Sequence, residues 1–242
     1  AGADTIDITD GYNRVIGDQG SWTAATATLT SASGNADDND IVTIDHGTNL
    51  VIAGSGTDTI TVNDGTNTIL GDDGTAVFSS DGELQSVTSS ALTNSGADNI
   101  TLNGGENTVI AGAGADTIDI TDGYNRVIGD QGSWTAATAT LISASGNADD
   151  NDIVTIDNGT NLVIAGAGAD TIKIAFGTNT VVGDEGKATF FDNVLINQIE
   201  TLHQTGGNDT ISIKGENTNG NTGNNVVLGG FGSDTVELGT GK

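Results

Sequence analysis

Aspartate returns at one fixed place in a short pattern along this chain. Asp4, Asp40, Asp58, Asp98, Asp116, Asp152, Asp170, Asp209 and Asp234 each stand two residues before an Ile or Val. Within pairs the interval is 18 residues, as from Asp40 to Asp58 and from Asp152 to Asp170. An asparagine follows in phase at Asn13, Asn49, Asn67, Asn107, Asn125, Asn161, Asn179 and Asn225. If the copies stack as strands of a sheet, equivalent side chains come about 4.8 Å apart. Carboxylates in such a column repel by roughly 1 kcal/mol per neighbouring pair even at the dielectric of water. A hard cation with six to eight oxygen ligands removes that repulsion, and glycine corners expose backbone carbonyls to complete its shell. The chemistry these residues suit is cation binding.

The elements that must position them are legible in residues 111–132, AGAGADTIDITDGYNRVIGDQG. One half is Gly-x-Gly-x-Asp-Thr-Ile-x-Ile, the other Asp-Gly-x-Asn-x-Val-Ile-Gly-Asp. Each joins a glycine corner to an apolar pair too short for a helix, so the spacing predicts turn, strand, turn, strand: one flat lap of a coil. Residues 1–53 reappear at 113–165 with only Thr30 becoming Ile142 and His46 becoming Asn158. Longer interruptions at 21–38, 75–97, 133–150 and 187–206 follow each pair of laps. In the first, Ala25, Ala27 and Leu29 alternate with threonines, which predicts a strand with one apolar face. The others carry Val77, Phe78, Leu84, Val87 and Leu92, and Phe190, Phe191, Val194, Leu195 and Ile196. The stretch 214–225 is polar and reads as a lengthened corner.

A second aliphatic column, Ile16, Ile52, Leu70, Ile110, Ile128, Ile164, Val182 and Leu228, follows one residue behind the inward Val15-type column. On a flat strand it faces outward, where it would make a sticky stripe. The interruptions are expected to lay their apolar faces over it.

Thirty-three acidic residues against six basic ones leave a formal charge of −27. Nucleic acid is excluded as a partner by sign, and no apolar run reaches membrane-spanning length. Thirty-seven glycines, no proline, no cysteine and 4% aromatics suit a solenoid with a thin Ile/Val core and a staple other than disulfides. His46 and His203 are unrelated in register, and there is no His-Glu-x-x-His, no Gly-x-Ser-x-Gly and no phosphate loop. Trp22 and Trp134 open equivalent interruptions and read as packing residues.

Residues 229–237, GGFGSDTVE, fit the nonapeptide Gly-Gly-x-Gly-x-Asp-x-U-x in full. Corners at 53–61, 111–119 and 165–173 match with alanine at the first glycine; weaker ones begin at Asn94 and Thr205. On these motifs the chain resembles the RTX, or haemolysin-type, calcium-binding repeat proteins, closest to repeat regions of large bacterial surface proteins and adhesins. The likeness spans about two thirds of the chain. It implies a parallel β-roll with calcium between turns, type I secretion, and as ligands Asp4, Asp40, Asp58, Asp98, Asp116, Asp152, Asp170, Asp209 and Asp234. The opposite edge departs from the family pattern, because asparagine stands where aspartate is wanted; a neutral amide ladder is expected there. The set Asp18, Asp72, Asp130 and Asp184 either caps the corner backbone or binds further ions.

The expectation is therefore an all-β parallel β-roll or β-helix solenoid of about nine laps over residues 1–242, with inserted strands between pairs of laps. Its expected role is an extracellular, calcium-stabilised, non-enzymatic segment of a bacterial surface adhesin, surface layer or filament, secreted to the cell surface. Its partners would be calcium ions and other copies of itself, end to end or lateral, without membrane insertion. Alternatives are a self-assembling filament subunit with few or no metals, the RTX tail of a secreted enzyme, and an ice-binding solenoid. The last wants a uniform threonine array, whereas the outward column mixes Thr5, Ile41, Thr59, Asn99 and Thr117.

Overall fold

A computed structural model of the chain describes residues 2–35, 37–90, 95–145, 150–191, 195–202, 206–215 and 223–240. Leu92, Asn94, Val194, His203, Thr205 and most of the polar stretch 214–225 lie outside the described residues. The two halves of each lap become two parallel sheets. The first has nine strands: Thr5–Ile8, Ile41–Ile44, Thr59–Val62, Asn99–Leu102, Thr117–Ile120, Ile153–Ile156, Thr171–Ile174, Thr210–Gly215 and Thr235–Thr240. The second has eight: Tyr12–Ile16, Thr48–Ile52, Thr66–Leu70, Glu106–Ile110, Tyr124–Ile128, Thr160–Ile164, Thr178–Val182 and Asn225–Leu228. Equivalent residues pair without slippage, Ile100 with Ile118 and Asn107 with Asn125 among them. A one-residue slip would turn every Ile outward, so the apolar alternation holds the register. The predicted parallel solenoid of about nine laps is the fold observed.

Between these sheets lies a fully buried row of Val42, Ile44, Val51, Ile60, Ile69, Val109, Ile118 and their repeats. Each such side chain, fully buried, contributes about 1.5–3 kcal/mol. The neighbouring Ile52, Leu70, Ile110, Ile128, Ile164 and Val182 point the other way and are also buried. They lie beneath a third sheet, which is antiparallel and is built from the interruptions.

The alternation in the first interruption predicted one strand; the interruptions each supply two, as hairpins. They are Gln19–Thr23 with Thr28–Ala32, Gly74–Phe78 with Leu84–Ser89, Gly132–Thr135 with Thr140–Ser143, and Gly186–Phe191 with Leu195–Thr201. The hairpins open one or two residues before the predicted boundaries, because the glycine after each Gly-Asp-x corner already pairs. Ala25 and Ala27 fall in the turn, Ala27 at φ 46°, while Leu29 faces inward. Successive hairpins are clasped by serine on glycine. Ser31 Oγ accepts the Gly74 N–H at 2.7 Å and donates to its carbonyl at 3.2 Å, and Ser89 repeats this on Gly132 and Ser143 on Gly186. Trp134 meets Phe190 edge-on at 5.7 Å inside this layer, a packing role as expected. Among the described residues no helix is long and apolar enough to cross a membrane.

Candidate metal centre: two columns of buried carboxylates

Both edges of the coil are corners, and the two edges solve the same problem differently. At the asparagine edge each Nδ2 donates to the Oδ1 of the asparagine in the next lap, from Asn13 to Asn49 at 2.8 Å through to Asn179 to Asn225 at 3.0 Å. The same Nδ2 donates to a carbonyl three residues back, as Asn107 does to Gly104 at 2.9 Å. An amide carries both donor and acceptor, so the column is satisfied without charge. This is the neutral ladder the sequence led us to expect.

At the aspartate edge the partner is the backbone. The N–H of Asp4 donates to Oδ1 of Asp40 at 2.8 Å, that of Asp40 to Asp58 at 2.7 Å, and that of Asp58 to Asp98 at 2.8 Å. The series continues through Asp116, Asp152, Asp170 and Asp209 to Asp234. All nine sequence-predicted aspartates thus fall into one column. An ionised carboxylate has only acceptors, so one oxygen is used and the other is left over. The Oδ2 atoms of Asp40, Asp58, Asp98, Asp116, Asp152, Asp170 and Asp209 are buried and accept no hydrogen bond. Burial pushes these carboxyls up: Asp58, Asp116 and Asp209 to about 7, Asp170 to about 8 and Asp152 to about 10. Asp98 is raised well above its ordinary value by burial, with neighbouring carboxylates adding to the effect.

The second set belongs to the Gly-Asp-x-Gly corners. Asp18 Oδ2 accepts the Ser55 N–H at 2.8 Å and Asp72 Oδ2 the Ala113 N–H at 2.5 Å; Asp130 does the same for Ala167 and Asp184 for Phe231. The Gly-Asp-x-Gly aspartates therefore cap the corner backbone of the neighbouring lap. Oδ1 of Asp18, Asp72 and Asp130 is again buried with no hydrogen-bond partner, and burial raises Asp72 to about 8 and Asp130 to about 9.

Glycine makes the approach possible. Gly112 has φ +126°, and a Cβ there would lie 2.3 Å from Asp72 Oδ2. At Gly17 the place a Cβ would take is 1.9 Å from Asp40 Oδ2 and 2.4 Å from the Ala53 carbonyl oxygen. Gly71, Gly129 and Gly183 repeat that relation to Asp98, Asp152 and Asp209 and to the carbonyls of Ala111, Ala165 and Gly229. Leftover carboxylate oxygens and corner carbonyls therefore face the same small space.

The donor set is oxygen throughout, which suits a hard cation such as calcium. Among the described residues no three His, Cys, Asp or Glu side chains converge on one point. An ion at this edge would have to be held by one or two carboxylates, with backbone carbonyls supplying the rest. Sequence reasoning passed over Asp73 and Glu185, both buried, with Ser55 Oγ donating to Asp73 at 3.0 Å. Their signal was there: the residue after Gly-Asp alternates Gln19, Asp73, Gln131, Glu185. Among the described residues His46 reaches the exposed Asp64, at 3.9 Å, in solvent. No family model, curated protein or solved structure matches the chain, so the reading of this edge rests on its own residues.

Proposed function

We propose that this chain is an extracellular, calcium-stabilised structural segment of a bacterial surface adhesin, surface layer or filament, with no catalytic role. The observation that carries the reading is the row of buried Oδ2 atoms without a partner at one edge of the coil. Unpaired carboxylates withdrawn from water are too costly to stack lap upon lap without a counter-charge or a proton. Asp40, Asp58, Asp98, Asp116, Asp152, Asp170 and Asp209 would hold calcium, with Asp4 and Asp234 at the ends and corner carbonyls such as Ala53 and Ala111 beside them. Bound there, the ion supplies the missing positive charge between laps.

The chain's own part is to aim those oxygens. Each ladder hydrogen bond fixes Oδ1 against the N–H of the neighbouring lap, so Oδ2 is oriented only when laps are stacked. Affinity for the ion is then affinity for the folded coil, and folding follows external calcium. At −27 the unneutralised chain resists compaction, which suits export from a calcium-poor cytosol. Folded, it is a stiff spacer rising on the order of 40 Å.

The raised carboxyls, facing corner carbonyls, favour a second reading in which Oδ2 carries a proton and donates to the carbonyl. Circular dichroism and calorimetry of chelator-stripped protein, titrated with calcium at neutral pH, separate the two. A rise in β signal and melting temperature with calcium is expected. An unchanged melting temperature at neutral pH, together with a rise on acidification, would overturn the calcium reading and favour the proton.

A further inference from the structure

We propose that the two open edges of the outer sheet bind one another, so that a second copy of this chain docks its Gln19–Thr23 strand onto the Leu195–Thr201 strand of the first. The proposal concerns the hairpin layer and does not depend on calcium.

The argument comes from a junction the chain already contains. Strand Leu84–Ser89 pairs antiparallel with Gly132–Thr135, setting Ser86 against Thr135, Val87 against Trp134 and Thr88 against Ser133. The docking strand Gly132–Thr135 reads Gly-Ser-Trp-Thr, and residues 20–23 read the same. Among the described residues Gln19–Thr23 has a partner on one side only, Thr28–Ala32, and stands at one end of the sheet order. At the other end stands Leu195–Thr201, paired among the described residues with Gly186–Phe191 alone.

The receiving edge carries the same features as Leu84–Ser89. Its register on the preceding strand places Gln198 where Ser86 stands, Ile199 where Val87 stands, and Thr201 where Ser89 stands. Ser89 clasps Gly132 through its hydroxyl, and Thr201 brings a hydroxyl to the same position for Gly20.

Exposure marks both edges as unfilled, and on the receiving strand Leu195 is 68% exposed. Trp22 is 48% exposed, whereas its twin Trp134, seated on Val87, is 8% exposed. At the far end Val226 of the second sheet is 51% exposed, at the place where Thr108 receives Arg126. Docking Gln19–Thr23 onto Thr201 also seats Tyr12–Ile16 on Asn225–Leu228, as Tyr124–Ile128 sits on Glu106–Ile110. Thr5–Ile8 then falls at the place of Thr235–Thr240, so the junction keeps one of these strands and releases the other. Because the two edges are different surfaces, the contact is head to tail and propagates as a linear filament.

The chain has no cysteine, so single thiols report the register cleanly. Thr23→Cys and Gln198→Cys variants of the full chain, mixed under mild oxidation, test it at about 0.15 M salt, where repulsion between acidic copies is screened. Directly opposed residues of an antiparallel pair lie within disulfide reach. Cross-linking between these two, well above that of Thr23→Cys with the exposed Ser80→Cys, is the expected result. Sedimentation velocity should show mass rising with concentration, and Trp22→Glu, folded by circular dichroism, should stay monomeric. Equal cross-linking at both pairs, or a wild-type chain monomeric throughout, overturns the proposal. A monomer that still responds to calcium would leave the calcium reading intact.

Discussion

Asp98 and Asp116 are joined head to tail: the backbone N–H of Asp98 donates to Oδ1 of Asp116 at 2.7 Å, and Oδ2 of each is buried with no hydrogen-bond partner. The same half-satisfied rung recurs along the edge, leaving one buried oxygen unpaired in lap after lap.

Asp116→Asn keeps the acceptor for the Asp98 N–H and removes the charge. In chelator, Asp116→Asn should be at least as stable as the wild type, while Asp116→Ala should lose about 1–3 kcal/mol because a buried N–H is orphaned. In saturating calcium the order of wild type and Asp116→Asn should reverse. Urea unfolding with and without the ion measures both.

Stability without metal should depend on pH in an unusual direction. The folded carboxyls of Asp58, Asp72, Asp130, Asp152 and Asp170 are raised, to about 7, 8, 9, 10 and 8. A folded value above the unfolded one means that folding takes up protons. The contribution is fully present below the ordinary carboxylate range and is lost as pH rises through about 7 to 10. Chelator-treated protein should therefore melt at lower temperature at pH 8 than at pH 5, and calcium should flatten that dependence.

The asparagine edge should be indifferent to both ion and pH. Asn107→Ala removes a donor to Asn125 Oδ1 at 2.8 Å and to Gly104, and an acceptor for Asn67. A loss of about 1–3 kcal/mol is expected, equal with calcium and with chelator in denaturant titrations.

Two glycines separate backbone strain from crowding. Gly11 has φ +106° with only Asn13 Nδ2 within 4 Å of an added Cβ, at 3.8 Å. Gly11→Ala should cost about 1–3 kcal/mol of strain alone. Gly112→Ala adds a clash with Asp72 Oδ2 at 2.3 Å and should both destabilise more and abolish the cap on Ala113. Paired unfolding curves would show the difference.

Arg14 and Arg126 are the same residue in the two near-copies, yet only Arg126 is buried, 3.2 Å from Glu106 and stacked near Tyr124, Trp134 and Phe190. Arg126→Ala removes a buried side chain from between aromatic rings while the exposed Glu106 stays solvated, and should cost about 2–5 kcal/mol through lost packing. Arg14 also stacks, 3.9 Å over the Phe78 ring, and donates to the Gly82 carbonyl at 2.7 Å, but it does so in solvent, so Arg14→Ala should cost only about 0.5–1 kcal/mol. Thermal melts of the two variants test the contrast.

Much of the fold is legible in the order of the residues. The Ile and Val pairs between glycine corners specified a coil, and the second aliphatic column, Ile52 and its repeats, required a cover. The hairpin form of that cover was hidden, because Ala25 and Ala27 mimic a strand pattern while sitting in a turn. Asp73 and Glu185 were missed because each stands beside a stronger signal, the Gly-Asp of the corner.

By itself the sequence determined the period, the in-phase aspartates and asparagines, and the sign of the charge, since these follow from residue order and the two-residue alternation of a strand. Only the tertiary structure decided which oxygens are spent and which are spare. One Asp oxygen is taken by an N–H from 18 to 40 residues away, and the other is sealed in by glycines of neighbouring laps. Satisfaction and burial are properties of stacked neighbours, and no single lap contains them.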